Sequence, residues 1–268
     1  MKPSVFRTVV SLSVALNVLA MMGVTALVVK KGGLPWLKHQ VPLITNMMRG
    51  RQAPREVPNT SPSVYQQLSV GPDDIILLGD DQLDAGEWHE LLGDAHAKKR
   101  TIVGDDTHAL LQRLGPIVEG RPRHVVVCCG SNNIRARTPH AQTAREYAQI
   151  VERLASRSPD TDTWLLPVLP VNARLYRRWV APDVPYLHMP DRHDVQQLNQ
   201  AIRALAVGTP RVHFVDLPEV VDEAGGLRQE YTLDGLHLNG AGLKLVALHL
   251  KRDLLRDSTG VAGPAPRP

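Results

Sequence analysis

From about residue 62 to Arg256, short apolar runs alternate with stretches whose apolar positions recur at helical period, the pattern of a parallel sheet covered by helices. Strands are expected at Asp74–Leu78, Arg100–Val103, His124–Cys129, Thr163–Leu169 and Val212–Asp216, with helices in the gaps. The clearest helices are Thr107–Leu114, His140–Ser156, Asp194–Ala206 and Gly240–Arg256. In His140–Ser156, Ala144, Tyr147, Ile150, Val151 and Leu154 fall at spacings of three and four, one apolar face to lay on a sheet. No repeat of fixed period is present.

The N-terminal quarter reads differently. After a short tail (1–7), the 22 residues Thr8–Val29 carry no charge. As a helix they would extend about 33 Å, enough to cross a bilayer. Their length favours an uncleaved anchor over a signal peptide, although Val24-Thr25-Ala26 resembles a weak cleavage site. A basic, Pro-containing juxtamembrane linker is expected over 30–61, the globular domain over 62–256 and a Gly- and Pro-rich disordered tail over 257–268. The chain of 268 residues has a formal charge of +4, but residues 1–61 hold eight Lys and Arg against Glu56 alone. The remainder is therefore at −3. A mildly acidic domain lacks the phosphate-neutralising face that nucleic acid requires, so that class of partner falls away. Cys128 and Cys129 are adjacent at a strand end, which excludes a disulfide framework and a CxxC zinc site and fits core packing.

In open α/β sheets chemistry collects in the loops after the strands. Here those loops contain Gly79-Asp80-Asp81, Gly104-Asp105-Asp106 and Gly130-Ser131-Asn132-Asn133, and Asp234-Gly235-Leu236-His237 precedes the last helix. Four such blocks, in this order and spacing, resemble the SGNH or GDSL-type hydrolases, in particular the branch similar to platelet-activating-factor acetylhydrolase and thioesterase I. The resemblance implies a three-layer α/β/α flavodoxin-like fold with a mostly parallel five-stranded sheet. It also implies a catalytic set at position 81, Asp234 and His237. An oxyanion hole would be formed by the N–H of residue 81, the N–H of Gly104 and the amide of Asn132.

Position 81 departs from the pattern, because Asp stands where the family places the nucleophilic Ser. A carboxylate attacking an ester forms a tetrahedral intermediate whose better leaving group is that same carboxylate, so the intermediate collapses backwards. Asp81 is also expected to form an ion pair with His237, weakening it as a base. Ester hydrolysis is therefore expected to be slow or absent. Asn133, where the family usually has Asp, is a second departure. Asp80, Asn133, Arg174 and Tyr176 are candidates for contacting the ligand, Arg174 and Tyr176 from a segment bordering the pocket. The acids Asp80, Asp81, Asp84, Asp105 and Asp106 suggest Mg²⁺ or Mn²⁺, but they follow no recognised ligand pattern and Asp106 suits a helix N-cap. No metal or cofactor is expected. The expectation is thus a single-pass protein of a bacterial inner membrane, binding an acylated lipid or glycan on an impaired esterase scaffold. Positive residues flank both ends of the span, and it is the resemblance that implies a domain on the exported side. The alternatives are a hydrolase in which Asp81 and His237 activate water, or a scaffold for a protein partner.

Overall fold

The computed structural model describes residues 61–180 and 188–258, together with Ala26. The chain divides into two units, Met1–Val57 and Pro58–Pro268, and the fold concerns the second. Apart from Ala26, the anchor expected over 8–29 lies outside the described residues, as do nearly all of the linker and tail. No helix among the described residues is long and apolar enough to cross a membrane.

Helix α1 (Ser61–Gln67) leads into β1 (Ile75–Gly79), α2 (Asp81–Asp84), α3 (Trp88–Leu92) and β2 (Ala97–Thr101). Then follow α4 (Thr107–Gln112), α5 (Gly115–Gly120), β3 (His124–Cys128), α6 (Ser131–Arg135), α7 (His140–Arg157) and β4 (Asp162–Leu165). The chain continues through α8 (Ala173–Trp179), α9 (Arg192–Ala206), β5 (Val212–Phe214), two short 3-10 turns and α10 (Gly240–Ser258). The five strands are all parallel in the order β2-β1-β3-β4-β5. Ile75 is registered with Ala97 on one side and His124 on the other.

β1 and β3 are buried throughout because both faces of the sheet are covered. Successive side chains point to opposite faces, so the strands feed two cores. Ile75, Leu77, Val126 and Cys128 pack with α3 and α10 through Trp88, Leu92, Val246 and Leu250. Ile76, Leu78, Val125, Val127 and Cys129 pack with α4, α5, α7 and α9 through Leu110, Ile117, Ile150 and Ile202. Each fully buried Leu or Ile adds about 1.5–3 kcal/mol of transfer free energy. These two cores make the expected three-layer α/β/α architecture. Both cysteines are free and buried, as expected.

The strand order fixes where a crevice forms. The chain leaves β1 toward β2 on one side and then crosses β1 to reach β3, so the connections diverge at the carboxyl ends of β1 and β3. Such a switch point is where open α/β sheets present loops to a ligand. Gly79 sits at that end of β1, where an added Cβ would lie 2.1 Å from the Cys128 carbonyl oxygen. Only a residue without a side chain lets the two strands approach so closely there.

Candidate active site

Asp80 leaves β1 in an extended conformation and caps α2 by accepting from the Gln82 N–H at 3.1 Å. Its other carboxylate oxygen accepts from the Ser131 hydroxyl at 2.8 Å. The group is fully buried. Burial first, and then the neighbouring charge of Asp81, raise its pKa to about 7 against the opposing pull of the Gln82 and Ser131 hydrogen bonds. It is therefore an internal brace of the first loop, joining it to α6, and not a ligand-facing acid.

Asp81 opens α2 and turns its carboxylate into a ring of donors. Oδ1 accepts the Gly104 N–H at 2.9 Å, and Oδ2 accepts Asn132 Nδ2 at 2.5 Å. Gly104 holds a left-handed φ of 86°, which aims its N–H inward from the loop after β2. Asn132, on α6, also donates through Nδ2 to the Asp105 carbonyl at 3.0 Å and accepts from Arg135 Nη1 at 3.0 Å. Two of the three groups expected to form an oxyanion hole are thus brought together, and the carboxylate of Asp81 is what they hold.

The ion pair expected between Asp81 and His237 is not formed: among the described residues His237 pairs with Asp234. Gly104 and Asn132 offer Asp81 two fixed donors in a largely buried setting, which a carboxylate favours over a half-exposed imidazole. His237 Nδ1 lies 2.5 Å from Asp234 Oδ2, while Asp234 Oδ1 accepts the N–H groups of Leu236 and His237, each at 2.9 Å. Burial works to raise the Asp234 pKa, but the hydrogen bonds from the His237 ring and from the two N–H groups outweigh it, and the net direction is downward. Gly235, at φ 89°, closes this loop; a Cβ there would lie 2.5 Å from both Asn172 O and Tyr176 N.

The segment after β4 links the two parts of the site. The Gln82 side chain takes both backbone groups of Leu169, donating to its carbonyl and accepting its N–H, each at 3.1 Å. Three residues on, the Asn172 N–H donates to Gly235 O at 2.8 Å.

The remaining sequence candidates lie elsewhere. Asn133 is buried; its Oδ1 accepts the Thr107 N–H at 3.0 Å and its Nδ2 donates to Thr107 Oγ1 at 2.9 Å, so it ties α6 to the start of α4. Tyr176 is buried against Val171 and Leu236, its hydroxyl donating to the His188 carbonyl at 3.4 Å. Arg174 is exposed and donates to Gln229 Oε1 at 2.6 Å. Asp106 caps α4 through the Ala109 N–H, as expected, and Asp105 pairs with Arg113 at 2.6 Å. Among the described residues no group of three or more His, Cys, Asp or Glu is placed to hold a metal ion. Two interior residues escaped the sequence reading, Gln82 and Arg135. The usable signal for Arg135 was its spacing of three from Asn132, which puts both on one face of a helical turn.

Comparison with known proteins identifies the family and the fold. Residues 76–245 match the model of the GDSL-like lipase/acylhydrolase family. The chain is 33% identical over 192 residues to a Bos taurus platelet-activating factor acetylhydrolase IB subunit alpha1, covering 68% of this chain and 75% of the relative. The Homo sapiens subunit alpha1 is 33% identical over 176 residues, covering 63% and 68%. Among solved structures, that of a putative platelet activating factor from Streptococcus pneumonia superposes with a TM-score of 0.65 at 29% identity, covering 80% of this chain and 97% of that one. A GDSL-like lipase from Bacteroides thetaiotaomicron shares the fold, with a TM-score of 0.60 at 21% identity over 73% of this chain and 95% of that one.

Proposed function

This chain belongs to the GDSL-like lipase/acylhydrolase family, and on that footing we propose that it is a degenerate acyl-ester hydrolase: a scaffold that binds an acylated lipid or glycan but occupies its own oxyanion hole. The observation that carries this reading is the pair of hydrogen bonds from Gly104 N–H and Asn132 Nδ2 to the Asp81 carboxylate.

In a serine hydrolase of this architecture, an alcohol attacks the acyl carbonyl, a histidine removes the alcohol proton, and the negative charge passes to the carbonyl oxygen in the hole. Here residue 81 supplies no hydroxyl. It also sets a fixed negative charge where the transition state would need to develop one. A substrate oxygen entering the hole must displace a carboxylate held by two charge-assisted hydrogen bonds, each worth about 1.5–3 kcal/mol. That penalty of about 3–6 kcal/mol corresponds to roughly two to four orders of magnitude in rate. The Asp234–His237 pair retains the arrangement of an oriented base. Only the nucleophile and access to the hole are altered.

The uncharged segment Thr8–Val29 is long enough for a tethered form; the resemblance, and not the flanking charges, favours the domain on the exported side, facing envelope acyl esters. The deciding experiment compares hydrolysis of short-chain acyl esters by the wild type and by Asp81→Ser. The wild type should stay near the uncatalysed blank, and the variant should hydrolyse with a rate that His237→Ala abolishes. An inactive Asp81→Ser variant would overturn the idea of a preserved hole. Wild-type turnover lost on His237→Ala would instead favour water activated by the Asp234–His237 pair.

A further inference from the structure

Among the described residues, one buried side-chain polar atom lacks a hydrogen-bond partner: Nε of Arg135. This arginine is 6% exposed. A guanidinium so placed is disfavoured unless its charge is answered, yet its side chain makes a single hydrogen bond among the described residues, from Nη1 to Asn132 Oδ1 at 3.0 Å. Arg113, which is less buried, is instead paired with the Asp105 carboxylate at 2.6 Å. Along these hydrogen bonds a negative group lies one amide further on, since Asn132 Nδ2 donates to Asp81 Oδ2.

Arg135, Asn132 and Asp81 therefore form a line, with a neutral amide between a cation and an anion. A cation on its oxygen polarises the amide and makes its N–H groups stronger donors, an effect that a low local dielectric enhances. Orientation follows as well. With Oδ1 held by Arg135, Nδ2 must face the first loop, and the Asp105 carbonyl secures the same orientation from the other side. Loss of Arg135 would thus remove charge while the Asp105 bond still holds the amide in place.

We infer that Arg135 is a positioning residue of the oxyanion hole: acting through Asn132, it aims and strengthens the Nδ2 donor, and its charge is answered by Asp81 in this chain and by a substrate oxyanion where Asp81 is absent. This rests on the reading of Gly104 and Asn132 as that hole. Arg135 itself touches no reacting atom.

The test is a melting cycle on the full chain: wild type, Asp81→Ser, Arg135→Met and the double variant. Coupling through Asn132 requires Arg135→Met to lower Tm less in the Asp81→Ser background than in the wild type, because removing the acid leaves the cation unanswered. Equal losses in both backgrounds, the signature of a merely structural arginine, overturn the inference. Arg135→Gln runs through the same cycle in case the methionine variant does not fold. Kinetics give a second, separable readout. If Asp81→Ser hydrolyses short acyl esters, adding Arg135→Met should lower kcat roughly tenfold at unchanged KM, because the polarised donor acts on charge that develops only in the transition state. An unchanged kcat overturns the inference. If Asp81→Ser hydrolyses nothing, the hydrolase reading fails while the melting cycle still decides Arg135.

Discussion

Replacing Asp80 with Asn tests the electrostatics of the first loop directly. Asp80 is fully buried, with a pKa of about 7, whereas an unfolded chain releases that proton near 3.9. Between the two values the folded protein holds a proton that the unfolded chain has lost. Stability must therefore fall as pH rises from about 4 to about 7, and level off beyond. At 1.36 kcal/mol per pH unit the full effect is at most about 4 kcal/mol. His124 acts in the opposite sense. Burial, helped by the charge of Arg123, lowers its pKa to about 4, so the unfolded chain binds the extra proton between about 4 and 6.5. That contribution rises with pH by at most about 3 kcal/mol. The two slopes oppose each other in the wild type, which should be nearly level from pH 4.5 to 6.5. Asn keeps an acceptor for the Gln82 N–H, and the Ser131 hydroxyl can turn to accept from the new amide. Asp80→Asn should accordingly unmask the His124 rise and exceed the wild type by about 2–4 kcal/mol at pH 8. Urea unfolding across pH 4.5–8, followed by the fluorescence of the buried Trp88 and Trp164, measures both curves. Parallel wild-type and Asp80→Asn profiles would refute the reasoning.

Gly235→Ala places a Cβ against two backbone atoms and forces an L residue to φ 89°; it should cost about 2–4 kcal/mol of stability in denaturant titration and loosen the Asp234–His237 loop. Arg174→Ala, by contrast, removes an exposed side chain bonded to Gln229, and its unfolding midpoint should stay within about 0.5 kcal/mol of wild type.

The layers and the central strands were legible because β1 and β3 are apolar at every position apart from Gly79 and His124, and buried on both faces. β2 was read three residues late. It is an edge strand that includes Lys98 and Lys99, polar residues that mask strand character; Lys98 pairs with Asp74 and Lys99 donates to the Asp84 carbonyl. β4 ends at Leu165 rather than Leu169: the Leu166 N–H still donates to Val127 O, but Pro167 cannot donate to a ladder, and the backbone groups of Val168 turn to the Asn199 side chain. Gly104 and Asn132 could be marked from their loops, but not that the Asp81 carboxylate would bond to them and form no ion pair with His237. That choice depends on which donors stand nearest in three dimensions, and no spacing along the chain encodes it. Arg135 escaped for a different reason: its spacing of three from Asn132 could have marked it, but a single arginine in a short polar stretch reads as surface until its burial is known.

The clasp of Gln82 on both backbone groups of Leu169 bears on how such a protein could change its chemistry. With Asp80 anchored on one side and Gln82 on the other, the peptide at position 81 is gripped by its neighbours and owes little to its own side chain. A change of that one side chain would then alter what fills the hole while leaving the loop's backbone anchored, as a tool bit changes in a fixed chuck. Exchange between an acid and an alcohol at residue 81 would ask for no rearrangement of the loop that presents it.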